Sequence, residues 1–278
     1  MDWRHHGGLT AFNGYANHIG FFDYTGLPNP FAKEVGEAVG SSRSSPIEVW
    51  SIPELISEAA GKPVGELLNE RAINLARILL QDDHGETFDT VQYAIREIVR
   101  NAAEHSDGNQ IAFLAQYWPA SNSAEISVFD DGVGIAANIY DNEFVDVANN
   151  LAAIKAALLP GITGVSRSDR IAQDSEWHNS GFGLYVVSRL AGRFGKFCVV
   201  STSDYLELNH RNQYTKPYSL KGTGVAIKLD LSQMKDSQSF IRRTIEQGEK
   251  MQSEILKDFP IKASVASKML LSDFRRKI

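Results

Sequence analysis

Arg96-Glu97-Ile98-Val99-Arg100-Asn101-Ala102-Ala103-Glu104-His105 is the stretch on which the fold turns. Val91, Ala94 and Ile95 lead into its Ile98, Val99 and Ala102 at i, i+3, i+4, i+7, i+8 and i+11. That spacing predicts a helix from about Phe88 with a single apolar stripe. Glu97 and Asn101 are four apart, so they lie one above the other on a face that borders the stripe. A carboxylate and an amide beside a buried face suit the rim of a cleft. The Asn101 carbonyl oxygen is the hard kind of ligand that Mg²⁺ prefers. Glu97 has the chemistry to orient or deprotonate a water or hydroxyl attacking a phosphate. Taken alone, such a pair is more often a solvated contact on a helix surface.

Downstream the period changes from helix to strand, at Ile111–Trp118 and Glu125–Asp130. The second of these runs straight into Phe129-Asp130-Asp131-Gly132-Val133-Gly134-Ile135. An aspartate at a strand end can accept a hydrogen bond from the exocyclic amine of adenine, and the two glycines admit a purine where a Cβ would clash. Asp130 is preferred to Asp131 because the glycines then fall at +2 and +4. The bland alternative is a tight turn. Further on, Asn179-Ser180-Gly181-Phe182-Gly183-Leu184-Tyr185-Val186-Val187 opens an apolar helix with Gly-x-Gly, an anion site built from exposed amides and the helix dipole. It lacks the third glycine and the preceding strand of a dinucleotide fingerprint. Gly222-Thr223-Gly224 then precedes an alternating strand over Val225–Leu231; the Thr223 hydroxyl is placed to reach adenine or its aspartate, or else to close a hairpin.

Each motif is cheap; their order is not. Glu-x-x-x-Asn on a helix, Asp-x-Gly-x-Gly after a strand, Gly-x-Gly-Leu opening a helix and Gly-Thr before a strand resemble the successive boxes of the GHKL (Bergerat-fold, histidine-kinase-like) ATPase superfamily, over roughly residues 87–231. The resemblance implies an α+β, Bergerat-type sandwich: a mixed, largely antiparallel sheet covered by helices, with ATP between the two layers under a lid. It makes Asn101 the Mg²⁺ ligand, Glu97 the catalytic carboxylate and Asp130 the adenine contact. Gly132, Gly134 and Ile135 follow in the adenine loop. Ser180, Gly181, Phe182, Gly183 and Leu184 line the phosphates, and Thr223 completes the ATP site. The lid is expected at about 161–183, where Arg167 and Arg170 could meet the γ-phosphate.

Departures from the branches narrow the kind. A sensor kinase needs a phosphoacceptor histidine on a helical hairpin, and none of His5, His6, His18 or His84 has that setting. Glu104 stands where that branch commonly has a lysine. The gyrase, mismatch-repair and Hsp90 branches add a transducer or middle domain, whereas about 47 residues follow Leu231. The expectation is a stand-alone bacterial ATP-binding protein. Three activities stay open: an ATPase or nucleotide-dependent switch for partner proteins, a serine/threonine kinase of the anti-sigma type with Glu97 as base, and a module that holds ATP without turnover.

The rest of the chain frames this unit. Residues 1–60 are expected as a small N-terminal region, one option being STAS-like, with short strands over 1–45. The ATP-binding domain is expected over 61–231 and a helical extension over 232–278. Ser51 and Glu54 form a capping box with Pro53 in the first turn, predicting a short helix to about Gly61. Leu67, Leu68, Ala72, Leu75, Ala76, Leu79 and Leu80 predict a second helix. Asp141–Leu159 reads as another, and Lys196–Ser203 as a strand. Apolar positions Ile241, Ile245, Met251, Ile255 and Leu256 would dock the C-terminal helices on the core or on a second subunit, which leaves a homodimer open. A net charge of −6 with pI near 5.7 does not suit nucleic acid or an anionic membrane. The lone cysteine, Cys198, rules out an internal disulfide or a multi-cysteine zinc site. No apolar run reaches the roughly 20 residues of a membrane span, so a cytoplasmic protein is expected.

Overall fold

The computed structural model describes residues 11–26, 40–59, 61, 64–140, 147–164 and 180–255. Seven strands make one sheet: β1 (Glu48–Ser51), β2 (Gln110–Trp118), β3 (Ser123–Asp130), β4 (Gly195–Ser201), β5 (Asp204–Asn209), β6 (Gln213–Pro217) and β7 (Thr223–Asp230). Their order is β1-β2-β3-β7-β4-β5-β6, and every pairing is antiparallel. The fold is therefore an α+β sandwich in which the expected largely antiparallel sheet has no parallel pair among the described residues. β1 comes from the N-terminal region and extends the sheet beside β2.

Helices accompany the sheet. They are α1 (Ala11–His18), α2 (Phe21–Thr25), α3 (Ile52–Glu58), α4 (Val64–Leu80), α5 (Glu86–His105), α6 (Ile135–Ile139), α7 (Asn150–Ala157), α8 (Gly183–Phe194) and α9 (Ser237–Ile255). α4, α5 and α8 lie on the sheet, and alternate strand residues such as Phe113, Ile126, Val128, Phe197, Val199, Leu206 and Ile227 meet them in one core. Each fully buried side chain of this kind contributes about 1.5–3 kcal/mol.

The Ser51 half of the capping box forms as expected: Ser51 accepts from the Glu54 amide, with Pro53 in the first turn of α3. α5 carries the predicted apolar stripe, yet Asp89, Thr90, Gln92, Arg96, Glu97 and Arg100 on its other faces are buried as well. α9, packing across α5 and α8, covers Asp89 and Thr90, while Gln92 donates to Asn69 of α4 and Glu97 abuts Gly183 of α8. Thr90 hydrogen-bonds Ser237 at 2.9 Å, while the backbone amide and the side chain of Gln238 donate to Glu86 and Asp89. Ile241 and Ile245 are its buried anchors.

Several expectations change. Residues 11–26 form α1 and α2 rather than the expected short strands, their buried positions Ala16, Ile19 and Phe22 recurring every three residues. The helix expected from Asp141 begins at Asn150, where the Asn149 side chain caps the Ala152 amide; 141–146 lie outside the described residues. β5 and β6 were not expected, since β6 is an exposed edge and offers no apolar alternation to read. Residues 256–278 of the expected C-terminal extension also lie outside the described residues.

Candidate functional site

β3 delivers Asp130 to the end of the sheet, opposite Ile111 on β2 and Thr223 on β7. Its carboxylate is 5% exposed. One oxygen accepts from the Gly132 amide at 3.0 Å and the Thr223 amide at 3.3 Å. The other has no partner among the described residues, and Asp130 lines a cavity between sheet and helices. Burial pushes its pKa up to about 6, against the pull of the two amides. Asp131 is differently placed. Its carboxylate holds the amides of Asn109 at 2.8 Å and Gln110 at 3.0 Å. Although desolvation opposes it, these bonds leave its pKa lowered.

The loop after Asp130 is set by close packing. A Cβ on Gly132 would collide with the Ser106 carbonyl, and one on Gly134, whose φ is +87°, would lie 2.6 Å from Thr202 Cγ2. What crowds both glycines is protein backbone and side chain rather than the cavity. Gly132→Ala should therefore lower stability by roughly 1–3 kcal/mol through overpacking, measured by denaturant melts. An unchanged melting curve would contradict the contact. The Ile135 amide donates to Ser201 Oγ at 2.8 Å, and Ser201 lies 3.4 Å from the Thr223 hydroxyl. Thr223 thus serves Asp130 through its backbone amide, with its hydroxyl turned to Ser201.

α5 forms the facing wall with Ile98, Asn101, Ala102 and His105. The Asn101 amide nitrogen is buried without a hydrogen-bond partner among the described residues. Glu97, one turn earlier, is 3% exposed and does not reach this wall. Arg96 donates to its Oε1 from Nε at 3.1 Å and from a terminal nitrogen at 2.9 Å. Its other oxygen abuts Gly183, where a Cβ would clash with it.

The third wall is the start of α8. Gly181, Gly183 and Leu184 line the cavity. Gly181 has φ +71° and packs on Gly161 and Ile162, while the Gly161 amide donates to the Gly181 carbonyl at 3.1 Å. Ser180 is buried. Phe182 is fully buried, its ring set edge-on to Tyr185 and close to Gly248 of α9, so it belongs to the core behind the wall. Most of the expected lid, with Arg167, Arg170 and His178, lies outside the described residues. The structure thus gathers Asn101, Asp130, Ile135, Gly181, Gly183, Leu184 and Thr223 at one cavity, with Glu97, Gly132, Gly134, Ser180 and Phe182 just behind it.

Sequence reading passed over Asn138, Thr163 and Ser201. Asn138 and Thr163 line the cavity. Ser201 could be found from strand register, as the partner of Thr223. Asn138 shares a face with Gly134 at i+4, a spacing visible only once 135–139 is known to be helical.

An apolar slot with a buried anionic acceptor at its end, an unsatisfied amide on one wall and helix-start amides on another suits a flat, amine-bearing ring joined to an anionic group. Residues 87–233 match the family model of histidine kinase-, DNA gyrase B- and HSP90-like ATPases. Among curated proteins, none matches the chain.

Proposed function

Because the chain belongs to the histidine kinase-, DNA gyrase B- and HSP90-like ATPase family, we propose that this cavity binds Mg-ATP and that the protein acts as an ATPase or nucleotide-dependent switch for partner proteins. The observation that carries the reading is Asp130. A buried carboxylate that lines the cavity, with one oxygen anchored by two amides and the other without a partner among the described residues, is a fixed acceptor for an exocyclic amine. Gly132 and Gly134 shape that loop, and Ile135 is part of the slot. The amides around Gly181, Gly183 and Leu184 sit at the start of α8, where the helix dipole favours phosphate.

Asn101 fits a magnesium role. Its amide end is buried and unsatisfied, and turning the amide over places oxygen where nitrogen now stands. Asn101 would then hold Mg²⁺, which offsets phosphate charge when bound. Glu97 is the base or water-orienting carboxylate in this proposal. Its pairing with Arg96, away from the cavity wall, favours a switch over a constantly active enzyme, since the carboxylate must turn before it can act. Partner proteins in the cytoplasm, a second copy of the chain being one option, read the switch. No helix among the described residues is long and apolar enough to cross a membrane.

The charge on Asp130 predicts a pH dependence. An amine donor is best held by the carboxylate form, so binding should weaken as pH falls through about 6. The loss approaches tenfold per pH unit if only that form binds. Adenosine, which has no phosphate to titrate, is the ligand to use; flat affinity from pH 8 to pH 5 would refute the assignment. For the activity itself, ATP labelled in the γ-phosphate separates the readings. Free phosphate with ADP identifies an ATPase, label on protein serine or threonine identifies a kinase, and intact bound ATP identifies a holder.

A further inference from the structure

Asn138 lies one turn into α6, four residues after Gly134. Its amide nitrogen donates to the carbonyls of His105 and of Gly134, the latter at 3.2 Å. Both partners are acceptors, so the amide can take only one orientation. Its oxygen remains as an acceptor, without a partner among the described residues, on a side chain that lines the same cavity as Asp130. Two anchors, one at the end of α5 and one at the start of α6, fix where that oxygen stands.

The chemistry of the ligand decides what can meet it. An adenosine nucleotide carries donors in two places only, the exocyclic amine and the ribose hydroxyls; its ring nitrogens and phosphate oxygens accept. Asp130 claims the amine. Depth orders the two contacts: Asp130 is buried, whereas Asn138 is half-buried beside Gly164, where an added Cβ would collide with the Asn138 backbone carbonyl. A base seated on Asp130 runs its sugar toward this shallower rim.

We propose that Asn138 reads the sugar, accepting a hydrogen bond from a ribose hydroxyl through Oδ1 and so selecting ribonucleotides over deoxynucleotides. This rests on the nucleotide reading above. Calorimetric titration with Mg²⁺ and ATP, 2′-deoxy-ATP or 3′-deoxy-ATP tests it on wild type and on Asn138→Ala. Wild type should bind ATP about fivefold more tightly than at least one deoxy analogue, the worth of one hydrogen bond. In Asn138→Ala that ratio should fall to near one. The wild-type comparison stands even if the variant does not fold. Equal affinity of wild type for ATP and both analogues overturns the inference and leaves the nucleotide site intact. So does an unchanged preference in a folded Asn138→Ala protein. Absence of ATP binding altogether removes the nucleotide reading and this inference with it.

Discussion

Asp130→Asn should lose ATP affinity by about a hundredfold, the upper range for a hydrogen bond to a charged group, while the protein stays folded. The substitution keeps an oxygen for the Gly132 and Thr223 amides, so the loop retains its anchor. It replaces the cavity-facing oxygen with a donor, which then opposes the adenine amine. Asp130→Ala should abolish binding too, but it also strips the two amides of their acceptor. Stability helps to separate these effects. The folded-state pKa of about 6 lies above the ordinary carboxylate value, so the ionised form is penalised in the fold at pH 7 and the penalty fades as pH falls from 6 toward 4. Asp130→Asn removes an ionised group from that environment and should not lower the melting temperature at pH 8. Retained affinity in the folded variant would remove adenine from this end of the cavity.

Glu97→Gln should bind Mg-ATP as wild type does and lose hydrolysis or transfer by about 10²–10⁴-fold, the range of a general base. Glutamine is chosen because of Arg96. Glu97→Ala would take a buried carboxylate from a fully buried guanidinium, and breaking such a pair costs about 3–5 kcal/mol. Loss of activity in the alanine variant would therefore mix chemistry with unfolding. The glutamine side chain still offers Arg96 an oxygen. Turnover of Glu97→Gln at the wild-type rate would exclude Glu97 from the chemistry.

The legible parts of the sequence were those whose burial follows a simple period. The α5 stripe, the strand into Asp130 and the alternation of β7 each face the core on one side, so apolar spacing reports them. The polar faces of α5 read as a solvated surface, because the residue that buries Thr90, Ser237, lies 147 positions away on α9. β6 is an exposed edge and carries no such pattern. In the site, Asp130, Asn101, Gly181, Gly183 and Thr223 were visible as motifs in order. Their detailed geometry was not: Thr223 reaches Asp130 by its amide, and Phe182 turns inward to Tyr185. The Arg96–Glu97 pair was hidden because adjacent helix positions do not face each other in the usual pattern.

One titration tests the central claim most directly: Mg-ATP against Mg-GTP, each into the wild-type protein by calorimetry. With Asp130 as the acceptor, ATP should bind saturably. GTP, which presents a carbonyl oxygen where adenine has its amine, should bind at least tenfold more weakly or not at all. Equal binding of the two nucleotides, or no binding of ATP, would contradict the account.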